Sequence, residues 1–158
     1  WVVCGAEGLD EISPAGETFV RFPLGDCFRA RSLVLTAKLT SSPLFDLDLK
    51  DGTITERTIN PTVFGLNPTP LSTVAGGTPL ENSLTLLNLL DNKLSTSNPI
   101  ENFVVLNAAA LLLVAGQARD EKHGVELARE SLRSGKAKEA IESFRKASTE
   151  YAKAHPLQ

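Results

Sequence analysis

The chain has 158 residues, 42% of them hydrophobic and 22% charged, with a formal net charge of −3. That is enough for one domain with a real core, or one large piece of a domain, with a composition ordinary for a soluble globular protein. It excludes a generic nucleic-acid binder, because no basic excess exists to release counterions from a phosphate backbone. The longest apolar run, Phe103 to Gly116, contains Asn107 and falls short of the roughly 20 residues a bilayer span requires. Without a signal peptide, the expectation is a cytoplasmic protein with neither membrane nor nucleic-acid partners. Cys4 and Cys27 form no disulfide framework or metal spacing, and Cys4 reads as a reduced thiol in an apolar strand. The chain has no methionine and opens on Trp1 inside an apparent strand. A piece of a longer protein is therefore the expectation.

Trp1 to Cys4 has strand composition and gives way at Gly5 to a turn of small residues. Two adjacent carboxylates follow, Asp10 and Glu11, among Gly8, Ser13, Pro14 and Gly16. The order suggests a buried parallel strand delivering acids to the loop at its carboxyl end, where open α/β sheets place ligands. Gly16 to Phe22 alternates and is rich in β-formers, with Thr18, Val20 and Phe22 on one face. Pro23 to Lys50 is an excursion, part hairpin and part loop, with short strands expected at Ser32–Thr36 and Phe45–Leu49. Asp46 and Asp48 would face solvent there and are weak metal candidates. Asp51-Gly52 is a two-residue hairpin turn, leading into a strand over Thr53–Ile59. Asn60-Pro61 stops that strand, and Phe64 to Pro70 reads as a connector without helical or sheet period.

The remainder is helical. Thr78-Pro79-Leu80-Glu81 is a capping box with proline at the first helical position. It opens a helix whose apolar face is Leu80, Leu84 and Leu87, widened by Leu86 and Leu90. Asn98-Pro99-Ile100-Glu101 repeats the device and opens Phe103 to Val114, apolar almost all round and therefore expected to be the central buried helix. Asp120 caps a third helix with Val125, Ala128 and Leu132 inward and Gly135 as its stop. A fourth, Lys136 to about Tyr151, should turn Ala137, Ile141, Phe144, Ala147 and Tyr151 inward, leaving 152–158 as a tail. Strands followed by four helices, without repeats, fit the second half of a larger α/β domain.

Few residues could carry chemistry. His123 lies in the first turn of a capped helix in an exposed setting, and His155 lies in the tail. No nucleophile elbow, P-loop or dinucleotide fingerprint occurs. Gly76-Gly77 reads as backbone freedom before a capped helix, with an anion site at the helix N-terminus as the alternative. Asn107, the one amide in an apolar helix, reads first as a satisfied buried polar group and second as a ligand contact. Asp10 and Glu11 remain. Acids in a turn are by default solvated charges, yet hard divalent cations prefer oxygen ligands, and Mg²⁺ is commonly held by one or two carboxylates with waters and phosphate oxygens.

Several strings taken together are specific. They are Val2-Val3-Cys4-Gly5 with Glu7-Gly8-Leu9-Asp10-Glu11-Ile12-Ser13, then Gly16-Glu17-Thr18, Asn60-Pro61 with Phe64-Gly65-Leu66, and Gly76-Gly77 before Glu81-Asn82. Val104-Val105-Leu106-Asn107-Ala108-Ala109, Gly124-Val125 with Leu127-Ala128, and Ser134-Gly135-Lys136-Ala137 complete them. In this order the chain resembles the C-terminal part of the anthranilate phosphoribosyltransferase family. The resemblance implies a nucleoside phosphorylase and phosphoribosyltransferase type of α/β domain, of which 1–158 would be the C-terminal portion. It implies a tryptophan-biosynthesis transferase that moves the phosphoribosyl group of phosphoribosyl pyrophosphate to anthranilate. By motif position, Asp10 and Glu11 would help hold Mg²⁺ near the pyrophosphate, where a metal neutralises the developing charge of the leaving group.

The family's glycine-rich pyrophosphate loop, its Lys-His-Gly-Asn stretch and its anthranilate-contacting arginine normally precede this part. The 158 residues alone are therefore expected to be inactive, with partners in the missing N-terminal part of the same protein and a homodimer formed through it. Pro23 to Lys50 is longer than the family's usual link and reads as an insertion. A pyrimidine-nucleoside phosphorylase relative and a non-catalytic assembly domain are the alternatives.

Overall fold

The computed structural model describes residues 2–5, 8–21, 48–50, 53–55 and 58–155. Strands β1 (Val2–Gly5), β2 (Thr18–Arg21) and β5 (Thr58–Ile59) form a three-stranded sheet in the order β1-β2-β5. β1 pairs antiparallel with β2, Val3 opposite Val20 and Gly5 opposite Thr18, and β2 pairs antiparallel with β5. The parallel arrangement expected for β1 is thus corrected for these pairings. The twelve residues between Gly5 and Thr18 fold back on themselves, so the chain returns beside the strand it left without a crossover.

β3 (Asp48–Lys50) and β4 (Thr53–Thr55) form a separate ladder with Lys50 opposite Thr53. The expected turn residues Asp51-Gly52 lie outside the described residues. The single strand expected over Thr53–Ile59 is split: β4 belongs to the hairpin and β5 to the main sheet. Alternation gave one strand because a run of β-formers carries no signal for a change of partner. The expected strand at Ser32–Thr36, both cysteine side chains and the carboxylates of Asp46 and Asp48 lie outside the described residues.

Four helices follow: α1 (Pro79–Leu90), α2 (Pro99–Val114), α3 (Glu121–Arg133) and α4 (Lys136–Ala154). Their starts are those the sequence marks. At α1, Glu81 N–H donates to Thr78 Oγ1 at 3.4 Å while Thr78 N–H donates to Glu81 Oε2 at 2.8 Å. Asn82 also brackets Gly77, accepting its N–H at 2.8 Å and donating to its carbonyl at 3.2 Å. Gly76-Gly77 is therefore used by the cap itself. At α2, Asn98 Oδ1 accepts from Ile100 and Glu101 N–H, but Glu101 turns away to an ion pair, so this cap is one-sided.

The core lies where the sheet end meets α2 and α3. It joins Ile12, Ile59, Phe64 and Leu66 to Val105, Leu106 and Ala109 of α2 and to Val125, Ala128 and Leu132 of α3. The stretch after β5 is more than a connector. Pro61–Phe64 forms a 3₁₀ turn capped by Asn60, and it places Phe64 at 1% exposure.

Three helix faces differ from expectation. In α1 only Leu89 and Leu90 are buried, while Leu80, Leu84, Leu86 and Leu87 are exposed. Leucine occurs at six of twelve positions, all round the helix, so periodicity could not choose a side. α2 buries one side, yet Val104, Leu111 and Val114 are exposed, Leu111 at 72%. An apolar helix asks for neighbours on every side; the described elements supply them on one. α4 has no buried residue, with Ile141, Phe144 and Tyr151 exposed. It meets the rest through α3, a partly buried Ala137 and the 2.6 Å ion pair of Lys138 with Asp91. α4 also runs to Ala154, and His155 caps it with its ring stacked on Tyr151 at 4.1 Å.

Candidate metal-binding turn

Asp10 and Glu11 are both exposed, in the segment between β1 and β2. Beneath them the turn is tightly wound. Gly5 N–H donates to Leu9 O at 2.9 Å and Gly8 N–H to Gly5 O at 2.8 Å. Gly8 takes φ +88, open to glycine at little cost, and a Cβ on Gly5 would lie 3.2 Å from those of Leu9 and Ser13. The chain passes too close over Gly5 for a side chain to fit easily.

Beyond the acids the backbone is bound at three successive residues. Ile12 is 1% exposed, seated in the core, and both its peptide groups meet Asn107 of α2. Ser13 N–H donates to Thr18 Oγ1 at 2.7 Å, both residues being fully buried. Pro14 O accepts from Thr69 N–H at 2.7 Å. Ser13 Oγ in turn accepts from Ala15 N–H at 3.1 Å. Two carboxylates thus stand in water on a backbone held by the sheet, a helix and the 58–78 segment. A buried polar group is normally satisfied, and here the satisfaction fixes the segment next to the acids.

Asn107, read first as a satisfied polar group, is one. Its contacts with Ile12 could not be foreseen, since that residue lies 95 positions away in sequence. The strand pattern puts Thr18 on one face but does not show that its hydroxyl binds Ser13 N–H. Its signal was positional: a hydroxyl five residues beyond Ser13, where the returning strand begins.

His123 serves α3. It is half-buried, its N–H donates to the capping Asp120 at 2.8 Å, and its Nδ1 accepts from Arg119 N–H at 3.2 Å. The Asp120 carboxyl is lowered chiefly by that backbone hydrogen bond. Glu101, 4% exposed, lies 3.4 Å from Arg129, which also donates to Asn102 Oδ1 at 2.8 Å and to Thr96 O at 3.1 Å. Burial raises the Glu101 carboxyl above the usual glutamate range, and Arg129 partly offsets this. The pair braces α2 against α3.

Among the described residues no group of three or more His, Cys, Asp or Glu could hold a metal ion. The fit is therefore to a cation taking one or two carboxylates from this chain and its remaining oxygens from water and a phosphate-bearing substrate, a mode typical of Mg²⁺. It does not fit an all-protein cage. No helix among the described residues is long and apolar enough to cross a membrane.

The family model described as glycosyl transferase family, a/b domain, matches residues 39–138. The chain is 40% identical over 143 residues to the anthranilate phosphoribosyltransferase of Schizosaccharomyces pombe, covering 90% of this chain and 33% of that protein. It thus spans about a third of the length of the curated relatives it matches. The anthranilate phosphoribosyltransferase of Saccharomyces cerevisiae in complex with 4-fluoroanthranilate superposes with a TM-score of 0.68 at 28% identity, covering 90% of this chain and 33% of that one. The same enzyme in complex with PRPP and Mg gives 0.66 at 28% identity and the same coverage. The strands-then-helices order is thus a portion of that α/β fold, and the chain belongs to the glycosyl transferase family, a/b domain.

Proposed function

We propose that the protein carrying this chain transfers the phosphoribosyl group of phosphoribosyl pyrophosphate to the amino nitrogen of anthranilate, in tryptophan biosynthesis, with Mg²⁺ as cofactor. The observation that carries this is the exposed Asp10-Glu11 pair on a backbone tied down at Ile12, Ser13 and Pro14. The relatives support it, since they are named for this activity and one was solved with PRPP and Mg.

A bound Mg²⁺ would neutralise negative charge on the departing pyrophosphate. The chain's own contribution is positional. Asp10 and Glu11 present hard oxygen ligands without desolvation, and the fixed turn limits the conformational freedom they lose when a cation binds. The other substrate contacts belong to the upstream part of the protein, so the 158 residues alone are inactive under this proposal. A cytoplasmic location and a homodimer are part of the same reading.

The test is steady-state turnover of the full-length gene product with phosphoribosyl pyrophosphate and anthranilate across a Mg²⁺ titration. Asp10→Asn with Glu11→Gln should raise the Mg²⁺ concentration needed for half-maximal rate about 10-fold or more. Because both residues are exposed, stability should change by no more than about 0.5 kcal/mol. An unchanged Mg²⁺ dependence removes the metal assignment. Phosphorolysis of a pyrimidine nucleoside without transfer to anthranilate removes the reaction.

A further inference from the structure

We infer that Asn107 is a positioning residue for the acidic turn, acting on the carboxylates through the backbone of Ile12; the inference rests on the metal role proposed for Asp10 and Glu11. Asn107 Oδ1 accepts from Ile12 N–H at 2.9 Å, and its Nδ2 donates to Ile12 O at 3.2 Å. The side-chain amide thus does for Ile12 what the peptide group of a neighbouring strand would do. The second Nδ2 hydrogen goes to Phe103 O at 3.1 Å, one turn back in α2, which fixes the rotation of the amide. Both donors and the acceptor are committed, so the group has a single orientation.

The place of this clamp gives it more than a stabilising role. Ile12 directly follows Glu11, and consecutive Cα atoms are about 3.8 Å apart, so the clamp acts one residue from the second carboxylate. Ile12 is also 1% exposed, which prevents the backbone from yielding by rotation of its own side chain into water. An aliphatic side chain at position 107 could meet neither peptide group of Ile12. Partners that orient metal ligands typically change metal affinity about 10- to 100-fold when removed.

The experiment uses the full-length gene product and the Mn²⁺ complex of phosphoribosyl pyrophosphate, with binding read by water-proton relaxation. Asn107→Ala and Asn107→Asp are compared with Asp10→Asn/Glu11→Gln and with the combination of Asn107→Ala and that pair. Asn107→Asp keeps the size and the acceptor facing Ile12 N–H but turns the donor into a second acceptor. It decides the question if Asn107→Ala does not fold. The expected result is a dissociation constant about 10- to 100-fold higher for each Asn107 variant. The combined variant should bind no more weakly than Asp10→Asn/Glu11→Gln alone.

Unchanged affinity in the Asn107 variants, with weakened binding in Asp10→Asn/Glu11→Gln, overturns the positioning role and leaves the metal role standing. A full additional loss in the combined variant also overturns it, because Asn107 would then act elsewhere. Unchanged binding in Asp10→Asn/Glu11→Gln sinks the metal role itself, and this inference with it.

Discussion

Gly124 is a point of close approach between α2 and α3, and replacing it with alanine tests the packing that carries Asn107. A Cβ at Gly124 would lie 2.8 Å from Ala109 O and 3.1 Å from both Ala109 Cα and Cβ. Two of these are backbone atoms of a helix and cannot rotate away. Restoring an ordinary contact of about 3.4 Å to the carbonyl requires the helices to part by roughly 0.6 Å. A gap of that order forfeits about a quarter to a half of each dispersion contact across the interface. Overpacking a core typically costs about 1–3 kcal/mol, and a rigid obstacle puts this site near the top of that range. Alanine returns about 1 kcal/mol of helix propensity over glycine. The net expectation for Gly124→Ala is destabilisation by about 2 kcal/mol on those two terms.

Urea denaturation of the full-length gene product, followed by circular dichroism, reads this directly. Adding Ala109→Gly removes the 3.1 Å Cβ contact but leaves the carbonyl at 2.8 Å, so it should recover little. Asn107 precedes Ala109 by two residues on α2, so the displacement should also weaken the Mn²⁺ complex of phosphoribosyl pyrophosphate. A Gly124→Ala protein as stable as the parent, or more so, would refute the close approach and with it the way α2 is held over the acidic turn.

Other expectations concern the same two helices. Arg129→Leu strands the buried Glu101 carboxylate and should cost about 3 kcal/mol at pH 7, while Glu101→Gln/Arg129→Leu recovers much of that loss in the same denaturation assay. Because burial raises the folded Glu101 pKa, the folded state holds the proton more tightly than the unfolded chain. Glu101's contribution is therefore most favourable below the usual glutamate pKa and declines as pH rises to the raised value. Glu101→Gln should flatten that part of the stability–pH curve, and an unchanged slope would assign it elsewhere. Asn98→Ala removes the acceptor for Ile100 and Glu101 N–H and should cost about 1 kcal/mol; no loss would mean that water caps α2 equally well.

Much of this protein was written locally in its sequence. Thr78, Asn98 and Asp120 start their helices because a short polar side chain followed by an unsatisfied helix N-terminus is a complete local interaction. The inward side of α3 was legible for a similar reason, since only one of its faces is apolar. Asp10 and Glu11 stood out because a β-run, a small-residue turn and two acids are contiguous.

What the chain could not state was anything requiring a partner. Whether β1 runs parallel or antiparallel depends on where β2 comes from. Which leucines of α1 are covered depends on what lies beside it, since its sequence is apolar on every side. α4 carries an amphipathic pattern that the described elements leave uncovered. The clearest case is Asn107. Its identity marks a buried polar group needing partners, but only the tertiary structure brings α2 across the turn and gives it both peptide groups of Ile12. Local sequence determines which hydrogen-bonding groups must be satisfied. Long-range packing decides by what, and so decides how firmly the two carboxylates are held.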